Sequence, residues 1–168
     1  MLTVEIVEVV RLREQMHRVR EIRNLEAEID VINDKLTSPG SIKYTDMPKS
    51  QNPFDKQTML LAQKMDKENK LKRLITTAQK EKVILENIIN RISLLPETGK
   101  GPMNSIYQDI LRYKYLYDYT WNEINELLNG NDENFINVCD SKLRNLYTWN
   151  GQALNKFIKC QKDIKPSK

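Results

Sequence analysis

Cysteine and histidine are almost missing from this chain: Cys139, Cys160 and His17 are all that its 168 residues contain. Two cysteines cannot build a disulfide framework, and one histidine leaves no zinc-ligand spacing to assemble, so the thiols read as reduced and the setting as cytoplasmic. Long apolar runs are lacking too. Met1 to Val10 is apolar but broken by Glu5 and Glu8, so it is neither the apolar segment of a signal peptide nor a membrane span, and no other stretch approaches transmembrane length. Glycine is sparse at five residues, and Gly99-Lys100-Gly101 lacks the spacing of a phosphate-binding loop. His17 sits among arginines and reads as a solvated surface residue, while no carboxylates are fixed near one another as metal catalysis requires. The sequence therefore supports no enzyme, and neither a cofactor nor a metal is expected.

What is present is charge and helical periodicity. Charged residues make up 30% of the chain and apolar ones 39%. With a mean hydropathy of -0.64, this allows a thin core on helices that expose more than half their circumference. Ile22, Leu25, Ile29, Ile32 and Leu36 alternate steps of three and four, a heptad seam that Met16 and Val19 extend backwards. This predicts a helix from about Thr3 to Leu36, stopped by Ser38-Pro39-Gly40. A second seam is read through Leu61, Met65, Glu68, Leu71, Leu74, Ala78, Glu81, Leu85, Ile88, Ile92 and Leu95, ending at Pro96. The loop between them, 37–53, carries three prolines. The two seams suit an antiparallel pair within one chain or a homodimer, and spacing leaves both open.

Past Gly99 and Gly101 the composition changes, and tyrosines gather between Tyr107 and Tyr119. A short helix there is expected to end near Asp118. Thr120 and Glu123 then form a capping box around Trp121 and Asn122, with Tyr119 and Ile124 spaced as a hydrophobic staple. That helix runs to about Leu128 and closes at Asn129-Gly130-Asn131. A final helix covers about Lys142 to Lys159, with a start as early as Asp132. The predicted fold is thus all-α: a long, coiled-coil-like antiparallel hairpin over 1–95, a hinge at 96–102, a small helix-turn-helix domain over 103–160 and a basic tail at 161–168.

Charge marks the final helix. Between Met103 and Ser141 two basic residues face seven acidic ones, whereas from Lys142 to Lys168 seven basic residues face one acidic. The net charge of +4 is small, but this abrupt change of sign assigns the positive field to one element. On it, Leu146, Trp149, Ala153 and Phe157 recur on a face suited to burial. Arg144, Thr148 and Gln152 line another side, flanked by Asn145 and Lys156. Arginine can grip a guanine edge with two hydrogen bonds, and lysines such as Lys156 and Lys159 hold phosphates. A solvated polar face has the same composition, so residue types alone leave both readings open.

Ile110-Leu111-Arg112-Tyr113-Lys114-Tyr115, followed by Trp121-Asn122-Glu123-Ile124, resembles the helix-turn-helix of phage-encoded regulators of the RinA and ArpU late-transcription type, whose C-terminal part looks like region 4 of a bacterial sigma factor. Leu146-Tyr147, Gly151, Ala153-Leu154 and Phe157 are similar to the final helix of that pattern. Tyr44-Thr45-Asp46-Met47-Pro48-Lys49, with a long helix from about Asp55, looks like its upstream part. The resemblance implies a regulator that activates phage or prophage late genes, with double-stranded DNA and bacterial RNA polymerase as partners. It places base contacts on Arg144, Tyr147 and Thr148. The chain departs from the pattern at Asp118, where glycine is usual, and by an insertion at 131–140. A helix rotated by that insertion would bring Lys142 and Asn145 to the base-reading place. Two other classes fit a helix-turn-helix joined to long helices: a small terminase-like DNA-packaging protein and a coiled-coil adaptor that binds proteins.

Overall fold

The computed structural model describes residues 4–38, 53–97, 102–129 and 139–162. Their regular structure is all helical: α1 (Val4–Thr37), α2 (Pro53–Asn90), α3 (Asn104–Leu111), α4 (Trp121–Asn129) and α5 (Cys139–Lys162). A 3-10 turn at Arg91–Leu94 and a π-helical turn at Arg112–Leu116 complete it, and no strand occurs among the described residues. Residues 39–52 of the expected loop, 98–101 of the hinge, 131–138 of the insertion and the tail beyond residue 162 lie outside the described residues.

Local chemistry sets the boundaries. α2 begins on Pro53, whose missing amide costs nothing in a first turn. Its end tightens into the 3-10 turn and stops at Leu95, which is extended (φ -77°, ψ 146°) because the ring of Pro96 crowds a helical predecessor. α3 widens at its end: the Tyr117 amide donates five residues back to the Arg112 carbonyl at 3.1 Å. Asp118 then turns the chain out with φ 54°, and the Tyr119 amide closes onto the Tyr113 carbonyl at 2.9 Å. A left-handed residue is needed here, which is why glycine would suit the position. The expected capping box follows. The Thr120 amide donates to Glu123 Oε2 at 2.6 Å, and the Glu123 amide returns to Thr120 Oγ1 at 3.3 Å.

The chain forms two compact units. One comprises Met1–Val19 and Ala78–Lys168, the other Arg20–Thr77. In the first, Leu12 of α1 and Leu85, Ile88, Ile89 and Ile92 from α2 and its 3-10 end share a core with Tyr107 and Leu111 of α3 and with Ala153, Phe157 and Cys160 of α5. A smaller cluster of Ile110, Ile124 and Leu146 joins α3, α4 and α5. Packing therefore does not divide at 96–102, where the sequence suggests a hinge between two domains. The short helices enclose three residues fully by themselves and need the lower α1–α2 segment to cover Phe157. Burying one such side chain stabilises by roughly 1.5–3 kcal/mol.

Within each unit α1 and α2 run antiparallel. In the first, Arg11 grips Glu81 Oε1 through Nε (2.9 Å) and Nη2 (2.6 Å), and the buried Gln15 amide donates to the Ala78 carbonyl at 3.0 Å. In the second, Lys70 pairs with Glu21 at 2.8 Å and Lys67 with Glu28. Those ion pairs hold the Glu28 carboxyl below its ordinary range, through Lys67, and push the Lys70 ammonium up, through Glu21. The α1 seam is as expected, with Leu25, Ile29 and Ile32 buried. On α2 the start of the seam differs. Leu61 and Met65 are exposed (50% and 62%), and the half-buried positions are Leu60, Lys64, Lys67, Leu71, Leu74 and Ile75. Three successive steps of three between Met65 and Leu74 add up to two and a half turns at about 3.6 residues per turn, so Met65 lands on the far side of α2.

Candidate nucleic-acid interface

α5 buries one face and exposes the other. Leu146, Ala153, Phe157 and Cys160 are buried, and Trp149 and Asn150 are half-buried beside them. On the opposite side Arg144, Thr148, Gly151, Asn155 and Lys159 recur at steps of four, three, four and four, and all five are exposed. The guanidinium of Arg144 and the ammonium of Lys159 have no partner among the described residues. Thr148 donates its hydroxyl to the Arg144 carbonyl at 3.1 Å, which leaves its oxygen able to accept.

The remaining expected residues sit off this stripe. Asn145 is exposed on its edge. Tyr147 is 56% exposed and leans on α4, its ring 5.0 Å from that of Trp121 at 56°. Gln152 is exposed but accepts a 2.6 Å hydrogen bond from the Tyr107 hydroxyl. Burial pushes the Tyr107 phenol up, which favours the protonated form that donates this hydrogen bond. Lys156 is half-buried; its Nζ donates to Asn104 Oδ1 at 2.7 Å and lies 5.1 Å from the Tyr107 ring centre. Gln152 and Lys156, which the sequence reading places on the nucleic-acid face, thus each hydrogen-bond to α3. Lys142 lies within the helical backbone of α5, and its side chain is outside the described residues.

Asn155 and Gly151 belong to the outward stripe and were not among the expected contacts. Their signal is the continuation of the Arg144–Thr148 spacing by three and then four residues.

The neighbouring elements hold α5 in place. Ile124 of α4 packs with Leu146, and Lys114 Nζ donates to the Tyr119 carbonyl at 3.1 Å while lying 5.1 Å from the Trp121 ring centre. The exposed side of α4 is acidic: Glu123 and Glu126 line an open groove with Tyr119 and Leu127. That side of α4 carries negative charge, whereas the exposed cations Arg144 and Lys159 stand on α5. Among the described residues no group of three or more His, Cys, Asp or Glu could hold a metal, and no helix is long and apolar enough to cross a membrane. Comparison with known proteins returns no matching family model, no matching curated protein and no matching solved structure.

Proposed function

We propose that this chain is a sequence-specific, DNA-binding transcriptional regulator in which α4 and α5 act as a helix-turn-helix and the outward stripe of α5 enters the major groove. The observation that carries this reading is the stripe itself: hydrogen-bonding side chains and two cations without a partner among the described residues, all exposed, on the face away from the core. An α-helix fits a major groove about 12 Å wide. Fifteen residues separate Arg144 from Lys159, about 22 Å along a helix, so the two cations cannot address one base pair. Recognition helices read bases near their N-terminal end, which gives Arg144 a base edge and Lys159 a phosphate. The likeness to RinA- and ArpU-type regulators extends the proposal to activation of phage or prophage late genes through bacterial RNA polymerase.

Selection from a pool of random-sequence duplexes tests it. The expected outcome is an enriched sequence whose affinity falls steeply with salt. Recovered duplexes with no enriched sequence, or none recovered at low salt, would refute the proposal. A second reading, a helical adaptor that binds proteins, has one observation in its favour. Val31, Met59, Leu61 and Met65 in the Arg20–Thr77 unit are each half or more exposed.

A further inference from the structure

Of the five glycines in the sequence, Gly151 is the one within the described residues, and it sits mid-way along α5. Nothing among the described residues requires glycine there. The φ angle lies outside the left-handed region, and a Cβ built on the backbone meets no atom within 4 Å. Glycine in a helix interior is destabilising relative to alanine, because the unfolded chain has more freedom to lose. The chain thus carries a weak point in a helix it could have strengthened without a clash. Its position is not arbitrary: Gly151 lies at the centre of the outward stripe, between Thr148 one turn before and Asn155 one turn after.

We infer that Gly151 is a clearance point, where the absent side chain lets duplex DNA approach the backbone of α5 closely enough for Arg144, Thr148 and Asn155 to reach it. This rests on the DNA-binding reading above and deepens it by naming the residue that sets the depth of the helix in the groove. Close approach of backbone to a ligand is one of the uses that glycine alone serves. Thr148 and Asn155 have short side chains, so they reach bases or phosphates only if the helix axis lies near them. A side chain at 151 would hold the helix away and shorten the reach of both neighbours together.

The test uses the full chain, the duplex recovered from the random pool, and the variants Gly151→Ala, Gly151→Lys and Arg144→Ala. Gly151→Ala should raise the thermal midpoint by about 2 to 4 °C while lowering affinity for the duplex by about tenfold. Gly151→Lys should lose more affinity still, although it adds a positive charge. A face that met phosphates only at a distance would bind more tightly for that charge. Gly151→Ala binding as the unchanged protein does, with Arg144→Ala weakened, would overturn the clearance role and leave the DNA-binding reading standing. Tighter binding by Gly151→Lys would overturn it as well. No salt-dependent binding by the unchanged protein would remove both.

Discussion

The two compact units are made from the same pair of long helices, yet they bury them differently. In the unit of Met1–Val19 and Ala78–Lys168, Leu12, Leu85, Ile89 and Ile92 are fully buried, because α3 and α5 cover the sides of α1 and α2 that a two-helix pair leaves open. Among the described residues of the Arg20–Thr77 unit, one seam does all the burying. Leu25, Ile29 and Ile32 are covered, Lys64 and Lys67 share the α2 side, and Met59, Leu61 and Met65 remain exposed. A heptad repeat supplies a seam, and a core needs a third layer laid over it. The third layer and the outward face of α5 therefore belong to the first unit.

Cutting the chain gives the largest expected effect. A fragment beginning at Pro102 keeps α3, α4 and α5 but loses Leu12, Leu85, Ile88, Ile89 and Ile92, five buried residues of the core that holds Phe157. It should show no cooperative unfolding by circular dichroism; a sigmoidal melt with native helicity would show that the C-terminal helices close their own core. Phe157→Ala comes next, at about 3–5 kcal/mol, because the ring is fully buried in well-packed surroundings. Ile29→Ala in the other unit should cost about 2 kcal/mol, the lower end for such truncations, and should speed amide exchange only between residues 20 and 77. Equal costs, or faster exchange throughout for both variants, would erase the distinction between the units.

The same residue type separates the units on a smaller scale. Thr120 caps α4, so Thr120→Ala should cost about 1 kcal/mol. Thr76 is exposed mid-helix and bonds back to the Lys72 carbonyl at 2.9 Å, an arrangement that does not strengthen a helix; Thr76→Ala should leave the thermal midpoint unchanged or raise it. A last expected difference concerns Asp118. With φ 54°, glycine at this position should be more stable than alanine by about 1 kcal/mol, since both remove the side chain and only alanine keeps a Cβ in the left-handed region. Chemical denaturation of Asp118→Gly and Asp118→Ala gives that difference directly, and the reverse order would contradict the turn.

Features decided by neighbours in the chain were legible in the sequence. The α1 seam, the stop at Pro96 and the Thr120–Glu123 box each follow from a few consecutive residues, whereas the left-handed turn at Asp118 shows only in the structure. Features decided by distant packing were not. The adjacent Ile88 and Ile89 already indicate an apolar face wider than a single seam, but only the arrival of Phe157 and Tyr107 shows what covers it. On α5 the buried and exposed sides follow from spacing, so Arg144, Thr148 and Lys159 are found where a helical wheel places them. Gln152 and Lys156 have equally polar side chains, and only the position of Tyr107 and Asn104 on α3 gives them hydrogen-bond partners there.

The central claim is that the outward stripe of α5 reads DNA, and Arg144→Ala tests it most directly. Binding of the unchanged protein and the variant is measured on the recovered duplex and on a scrambled duplex of equal length, at two salt concentrations. The account predicts a loss of about 1–3 kcal/mol on the recovered duplex and little on the scrambled one, with discrimination relaxed at one base pair. Equal losses on both duplexes would reduce Arg144 to a phosphate contact, and no loss on either would contradict the assignment of this face to DNA.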